Sequence, residues 1–353
     1  MLDKRKIMAA AEYVSVLPSY SFNRNSIVGP IEMWETIDST NTHAMQIAKA
    51  GAIDGTAIIS EEQTGGRGRL GRSFYSPKKT GLYLSYIVRK RFDRLKMTGD
   101  IPALLTSMAG VVTAQAIFDI TGIDTRLKWV NDIYIGEKKA GGILTEGSYI
   151  DDKLEFAVIG IGVNVFEPAD GFPDDLKNTA AALVSENDQI TSQNSMRNDG
   201  LSPVKSPVML SSAMSPAAAI PSGRFPLAQN SNYLRENLAG LIIGGMRNWL
   251  HELEIDPDQT KERLYTQYYA RFKWMIGRKV GIIDRNSGNI TPMTVCGLTR
   301  NYELAAISDS EDNTNTGIEG GSQSDTASSP GVSFLRSEEV IYFNSLNSPD
   351  KAE

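Results

Sequence analysis

Apolar and polar positions along the chain repeat at two periods, and the switches between them mark the elements. Ile31 to Ile37 and Thr56 to Ser60 are short β-rich runs, and Gly81 to Val88 is a longer one. Arg126 to Val130 and Ile133 to Ile135 predict two brief strands. Gly136-Glu137-Lys138 reads as a turn, after which Lys139 to Glu146 and Leu154 to Val165 predict a strand pair. Asp38-Ser39-Thr40-Asn41 is a helix-start signal, because a Ser or Thr hydroxyl can accept from a first-turn amide. The helix it opens runs to about Gly51 and contains His43, read as a partly exposed helical histidine. Ile101 to Ile120, Tyr233 to Leu253 and Asp258 to Trp274 keep helical spacing. Beyond Gly277 the period returns to two. Val280 to Ile283, Thr294 to Leu298, Tyr302 to Ile307, Val332 to Leu335 and Glu339 to Phe343 then predict a small β-barrel. Strands and helices in this mixed order, with several hairpins, fit an α+β fold better than a doubly wound α/β one.

Three stretches lack such a pattern. Residues 1–30 are read only as an N-terminal extension. Residues 184–230 are rich in Ser, Asn, Pro and Met without sustained periodicity, which predicts a disordered insertion. Residues 308–330 form an acidic Ser/Gly/Asn/Thr stretch, predicted to be a floppy loop in the barrel. The resulting division is an extension (1–30), a main domain (31–275) and a small C-terminal domain (277–345).

Composition narrows the chemistry. The chain has 353 residues, 41% of them hydrophobic, enough for a substantial core. Its net charge of −6 makes it a poor candidate for non-specific nucleic-acid binding. With one cysteine, Cys296, no intramolecular disulfide can form, which fits a reducing compartment. With two histidines, His43 and His251, there is no Cys/His cluster for zinc. No apolar h-region follows the charged first residues, and no uninterrupted run of about 18 apolar residues occurs. A cytoplasmic protein without a membrane span is the expectation.

Three motifs carry candidate chemistry. In Gly65-Gly66-Arg67-Gly68-Arg69-Leu70-Gly71-Arg72, four glycines and three arginines share eight positions. Glycine lets backbone approach a ligand closely, and arginine brings forked donors for carboxylate or phosphate. The pair suits a loop wrapped around an anion; the bland alternative is a solvated basic turn. Gly66, Gly71 and Arg72-Ser73 have P-loop spacing, but Arg72 stands where Lys is required and a strand, not a helix, follows. The second motif is Lys128-Trp129-Val130-Asn131-Asp132 followed by Lys138-Lys139-Ala140-Gly141-Gly142-Ile143-Leu144. It offers lysines for phosphate, a carboxylate for Mg2+ and paired glycines, though a charged surface hairpin would look similar. The third, Gly160-Ile161-Gly162-Val163-Asn164, is a G-x-G without its third glycine, and alone reads as a kinked core strand.

In this order the three motifs resemble the biotin–protein ligase family, the biotin–[acetyl-CoA-carboxylase] ligases. The resemblance covers residues 31–183 well and 231–343 more loosely. It implies a mixed-sheet catalytic domain of the biotin/lipoate ligase type, with a small SH3-like barrel. It also implies roles by position. Ser39, Thr40, Asn41 and Gln63 would meet the biotin ring, with helix capping as the plain alternative for Ser39 and Thr40. Gly66, Arg67, Gly68, Gly71 and Arg72 would line the biotin pocket, and Arg69 would lie over the activated carboxylate and phosphate. Phe74 would pack at the biotin–adenylate junction or in the core. Lys139 is the leading catalytic residue, and Gly142 and Gly160 would let backbone approach the ligand. Arg72, Lys128, Asn131 and Asp132 would serve ATP, Asp132 also Mg2+, and Asn164 the adenine. The implied substrates are biotin and ATP, the implied acceptor a lysine of a biotin carboxyl carrier protein or domain, and the implied assembly a monomer or homodimer.

Some members of the family carry an N-terminal winged helix and act as repressors. Residues 1–30 are too short for one and show no helix-turn-helix pattern, so a form without a DNA-binding domain is expected. A lipoate–protein ligase or octanoyl transferase on the same fold is the nearest enzyme alternative, and a non-catalytic biotin- or nucleotide-binding regulator the alternative from another class.

Overall fold

The computed structural model of the protein describes residues 2–14, 29–89, 101–151, 153–185, 233–283, 289–308, 332–335 and 340–342. Residues 186–232 and 309–331, which hold nearly all of the two predicted insertions, lie outside the described residues.

The first sheet has seven strands: β1 (Ile31–Trp34), β2 (Ala57–Ser60), β3 (Gly81–Val88), β4 (Arg126–Lys128), β5 (Asp132–Ile135), β6 (Lys138–Ile150) and β7 (Lys153–Asn164). Their spatial order is β1-β2-β3-β7-β6-β5-β4. β1 and β2 pair in parallel and all other neighbours are antiparallel, so the sheet is mixed. Period-two alternation decides what each strand sends to which face. Leu82, Leu84, Tyr86 and Val88 of β3, and Ala157, Ile159, Ile161 and Val163 of β7, enter the main core. There they meet helices α3 (Ile101–Thr121) and α4 (Leu234–Ile255), with α5 (Pro257–Phe272) beyond them. The intervening Ile87, Phe156 and Val158 point to the opposite face, where Ala44 and Ala48 of α2 (Thr40–Lys49) cover them.

The helices start as the sequence predicts. Ser39 caps α2 by accepting from the Thr42 amide at 3.5 Å, and Asp256 caps α5 by accepting from the Gln259 amide at 3.1 Å. Such caps contribute about 1 kcal/mol each. α3 is the most apolar of the described helices. By length and composition it could cross a bilayer, because Pro102, Thr106 and Gln115 interrupt its apolar run without making it polar on balance. Its most apolar window is 72% buried inside this fold, mainly against α4 and β6.

The extension also holds a helix that the sequence analysis leaves unread, α1 (Lys4–Tyr13), capped by Asp3. Its Ile7, Ala10, Ala11 and Val14 pack on α4. The two backbones come close because α4 has no side chain at two positions: a Cβ on Gly240 would stand 2.4 Å from Ala10 Cβ, and one on Gly244 would stand 2.6 Å from the Ala11 carbonyl oxygen.

The C-terminal strands β8 (Lys279–Ile283), β9 (Ile290–Leu298), β10 (Leu304–Ser308), β11 (Val332–Leu335) and β12 (Val340–Tyr342) form an antiparallel sheet of the SH3-like kind, in the order β11-β10-β9-β8-β12. It is tied to the main sheet at the Lys128-to-Asp132 motif. The Trp129 indole N–H donates to the Tyr302 carbonyl at 2.7 Å, and the Tyr268 hydroxyl of α5 donates to the Val130 carbonyl at 3.1 Å.

Candidate active site

The α2 face of β7 is bare where the apolar alternation is broken by Gly160 and Gly162. Each glycine admits one neighbour. A Cβ on Gly160 would fall 2.2 Å from Asn41 Oδ1, and one on Gly162 would fall 2.7 Å from the Phe74 ring. Phe74 also packs edge-on against Tyr83, with ring centroids 6.5 Å apart. The expectation for Gly160 is thereby refined: the space it leaves is filled by the Asn41 side chain, which itself faces the site.

Ser39, Thr40 and Asn41, all at most 3% exposed, begin a buried polar relay. Gln63 Oε1 accepts from the Thr40 amide at 2.9 Å and from the Thr40 hydroxyl at 3.1 Å. The Gln63 amide donates to Ser76 Oγ at 2.9 Å, and Ser76 donates to the Phe74 carbonyl. Ser85 Oγ lies 2.8 Å from Thr40 Oγ1 and 2.6 Å from Asn41 Oδ1, so its single proton can serve one of them at a time. Asn41 Nδ2 donates to the Leu144 carbonyl at 3.2 Å and to Glu146 at 2.9 Å. Ser76, Ser85 and Glu146 are absent from the sequence-derived set. Glu146 had a signal: it shares parity with Gly142 and Leu144 on β6, hence their face.

The Gly/Arg motif folds into a compact loop. Gly68 N–H donates to the Arg72 carbonyl at 2.7 Å, and Phe74 N–H donates to the Gly66 carbonyl at 2.9 Å. Gly66 must be glycine because a Cβ there would sit 2.3 Å from the Phe74 carbonyl oxygen. The tip turns through Leu70 and Gly71 at φ of 56° and 75°, which a glycine adopts freely. Arg67 pairs with Glu146 at 2.9 Å, and Arg69 donates to Asn131 Oδ1 at 3.2 Å, while Arg72 is exposed. An open cleft of about 350 Å³ lies between this loop and Thr106, Val130, Leu144 and Glu146. That volume is within the range of small-molecule sites.

Lys139 reaches the site through a β-bulge. Gly141 pairs with Ile133 and Lys139 with Tyr134, leaving Ala140 extra, and Ala140 is fully buried. The extra residue resets the alternation, so Lys139 emerges on the side of Gly142. Its Nζ would lie 3.4 Å from a Cβ on Gly142 and is 2.6 Å from Asp132 Oδ1. Asn131 is braced by donating to the Ile143 carbonyl at 2.9 Å. Lys128 lies beneath the same end of the sheet, 3.2 Å from the Tyr134 hydroxyl. Burial pushes its ammonium down to about 8, with the Asp132 charge pulling the other way and Lys139 adding to the fall. Asn164 donates to the Ala181 carbonyl at 3.0 Å at the far end of β7. Among the described residues no group of three or more His, Cys, Asp or Glu side chains could hold a metal.

Residues 33–164 match the model of the Biotin/lipoate A/B protein ligase family. The bifunctional ligase/repressor BirA of Bacillus subtilis is 38% identical over 149 residues, 42% of this chain and 44% of that protein. The biotin–[acetyl-CoA-carboxylase] ligase of Mycobacterium tuberculosis is 31% identical over 159 residues, 43% of this chain and 58% of that protein. The chain therefore spans about half the length of these curated relatives. A solved structure of biotin protein ligase from Aquifex aeolicus, in complex with biotin and ATP, superposes with a TM-score of 0.55 at 20% identity, covering 88% of this chain and 97% of that one. That likeness shows a shared fold. Through residues 33–164, this chain is similar to the biotin/lipoate A/B protein ligase family.

Proposed function

We propose that the protein is a biotin–[acetyl-CoA-carboxylase] ligase. It joins biotin to ATP, giving biotinyl-5′-AMP and pyrophosphate, and then transfers biotin to a lysine of a biotin carboxyl carrier protein with release of AMP. The observation that carries this reading is one of placement. Arg69, Lys128 and Lys139 gather around Asn131 and Asp132, and Arg67 lies further along β6 at Glu146, beside a relay of hydroxyls and amides. The first set suits two anions that must meet; the second suits a neutral, hydrogen-bonding ring.

In the first step a biotin carboxylate oxygen attacks the α-phosphorus of ATP, and the bond to the bridging oxygen of pyrophosphate breaks. Lys139 neutralises the approaching carboxylate and α-phosphate; Asp132 holds its ammonium in place. Arg69, held by Asn131, covers the new mixed anhydride and shields it from water. Asp132 can also offer Mg2+ one carboxylate, the remaining ligands coming from phosphates and water as that ion prefers, and the ion would add charge neutralisation on the phosphates. In the second step the acceptor amine attacks the acyl carbon and AMP leaves. Thr40 and Gln63 hold the biotin ring, while Asn164 faces the adenine. The single half-buried cysteine agrees with a reducing, cytoplasmic setting.

Biotin-dependent exchange of labelled pyrophosphate into ATP tests the reading. Exchange with biotin and not with lipoate is the expected result. Exchange with lipoate alone would transfer the site to a lipoate–protein ligase, and biotin binding without exchange would make the chain a regulator.

Lys128 adds a pH signature. Its folded pKa of about 8 lies below the free lysine value of about 10.4, so the side chain is cationic below pH 8 and neutral above it. If it pairs with a phosphate of ATP, KM for ATP should climb above pH 8, by at most about tenfold per unit. Lys128→Arg, which keeps its charge, should flatten the rise; a profile that is the same in both proteins would remove Lys128 from ATP binding.

A further inference from the structure

Arg67, in the Gly/Arg loop, carries a guanidinium that is paired with a carboxylate across the cleft. The contact is two-pronged: Nη2 lies 2.9 Å from one Glu146 oxygen, and Nη1 donates to the other at 3.1 Å. The second of those oxygens also accepts from Asn41 Nδ2 at 2.9 Å. Glu146, which lines the cleft beside the basic loop, therefore joins that loop to the polar relay through Asn41. Its reason for facing that cleft is strand parity, with Gly142 and Leu144 on the same side of β6.

We propose that Glu146 is a positioning residue that sets selectivity: it keeps the Arg67 guanidinium neutralised in the empty protein, so that an incoming acid must displace a carboxylate already in place. The inference rests on the biotin-binding reading above. A weak carboxylate alone cannot win that exchange, because it offers Arg67 nothing that Glu146 does not. An acid that also engages the Thr40–Gln63 relay with a polar ring brings additional binding and can win. Simple fatty acids, which lack such a ring, are thereby kept from the basic loop. Glu146 touches no reacting atom in this scheme; it acts through Arg67.

Calorimetric titration with biotin, its neutral amide and octanoate tests this on the full chain. Glu146→Gln keeps an acceptor for Asn41 and removes only the charge. It should bind biotin about threefold tighter, as expected for loss of a part-exposed competing ion pair. It should leave the neutral amide unchanged and gain measurable binding of octanoate. In an Arg67→Gln background the same change should leave the biotin-to-amide ratio as it was, a readout that a purely structural role would not produce. An unchanged or smaller biotin-to-amide affinity ratio in Glu146→Gln overturns the proposal while leaving the ligase reading intact. Failure of the unaltered protein to bind biotin overturns both.

Discussion

Lys139→Ala is expected to slow biotin-dependent pyrophosphate exchange by about 10²–10³-fold, the usual cost of removing one preorganised donor from a developing anion. It should change biotin affinity by less than about threefold. The asymmetry follows from where the residue sits. Lys139 emerges at the bulge at Ala140, next to Gly142 and in contact with Asp132, and makes no hydrogen bond to the Thr40–Gln63 relay that would hold the ring. Its charge matters most when carboxylate and phosphate approach each other, so its loss raises the barrier more than it weakens the ground state. Lys139→Arg should recover part of the rate, since the charge returns with a different reach. Single-turnover adenylation and biotin titration on the same preparations separate the two effects. A variant that loses biotin binding and rate in equal measure would place Lys139 in the ring pocket and not at the reacting atoms.

That bulge also shows what the sequence can and cannot convey. Period and turn chemistry place the strands of the main sheet to within a few residues, since β3 appears at Gly81–Val88 as expected and β6 begins one residue before its predicted start. Capping chemistry fixes the start of α2. The Gly/Arg loop is legible because its composition is extreme. Face assignment on β6 is not, because one extra residue at Ala140 inverts the alternation upstream of it and no local pattern marks that residue. The ties of the Lys128-to-Asp132 motif to Tyr302 and Tyr268 are equally silent: they join residues 173 and 138 positions apart, and both end on a backbone carbonyl that any residue would supply. α1 goes unread in the sequence, because a ten-residue helix with basic residues at its start gives a weak signal until α4 is there to cover its Ile7, Ala10 and Ala11.

Gly160→Ala should be strongly damaging for a single added methyl, because it strikes the relay and the sheet together. Its Cβ would stand 2.2 Å from Oδ1 and 2.8 Å from Cγ of Asn41. Asn41 cannot swing aside at low cost: its side chain is bonded to the Leu144 carbonyl, Glu146 and Ser85, and the residue is 3% exposed. Forcing it out strands buried polar groups and overpacks the α2 face, for a loss of about 1–3 kcal/mol in stability. Thr40 shares Ser85 with Asn41, so the ring contacts loosen as well, and biotin should bind at least about tenfold more weakly. Gly110→Ala in α3 is the matched control. There the new methyl would meet the Leu127 methyl groups at 3.4 Å, an ordinary contact, and helix propensity favours alanine. Thermal melts and biotin titrations of the two variants side by side give the answer. If Gly160→Ala melts and binds like Gly110→Ala, Asn41 is free to move, and neither the closeness of α2 to β7 nor the relay built on it governs how this site holds its ligand.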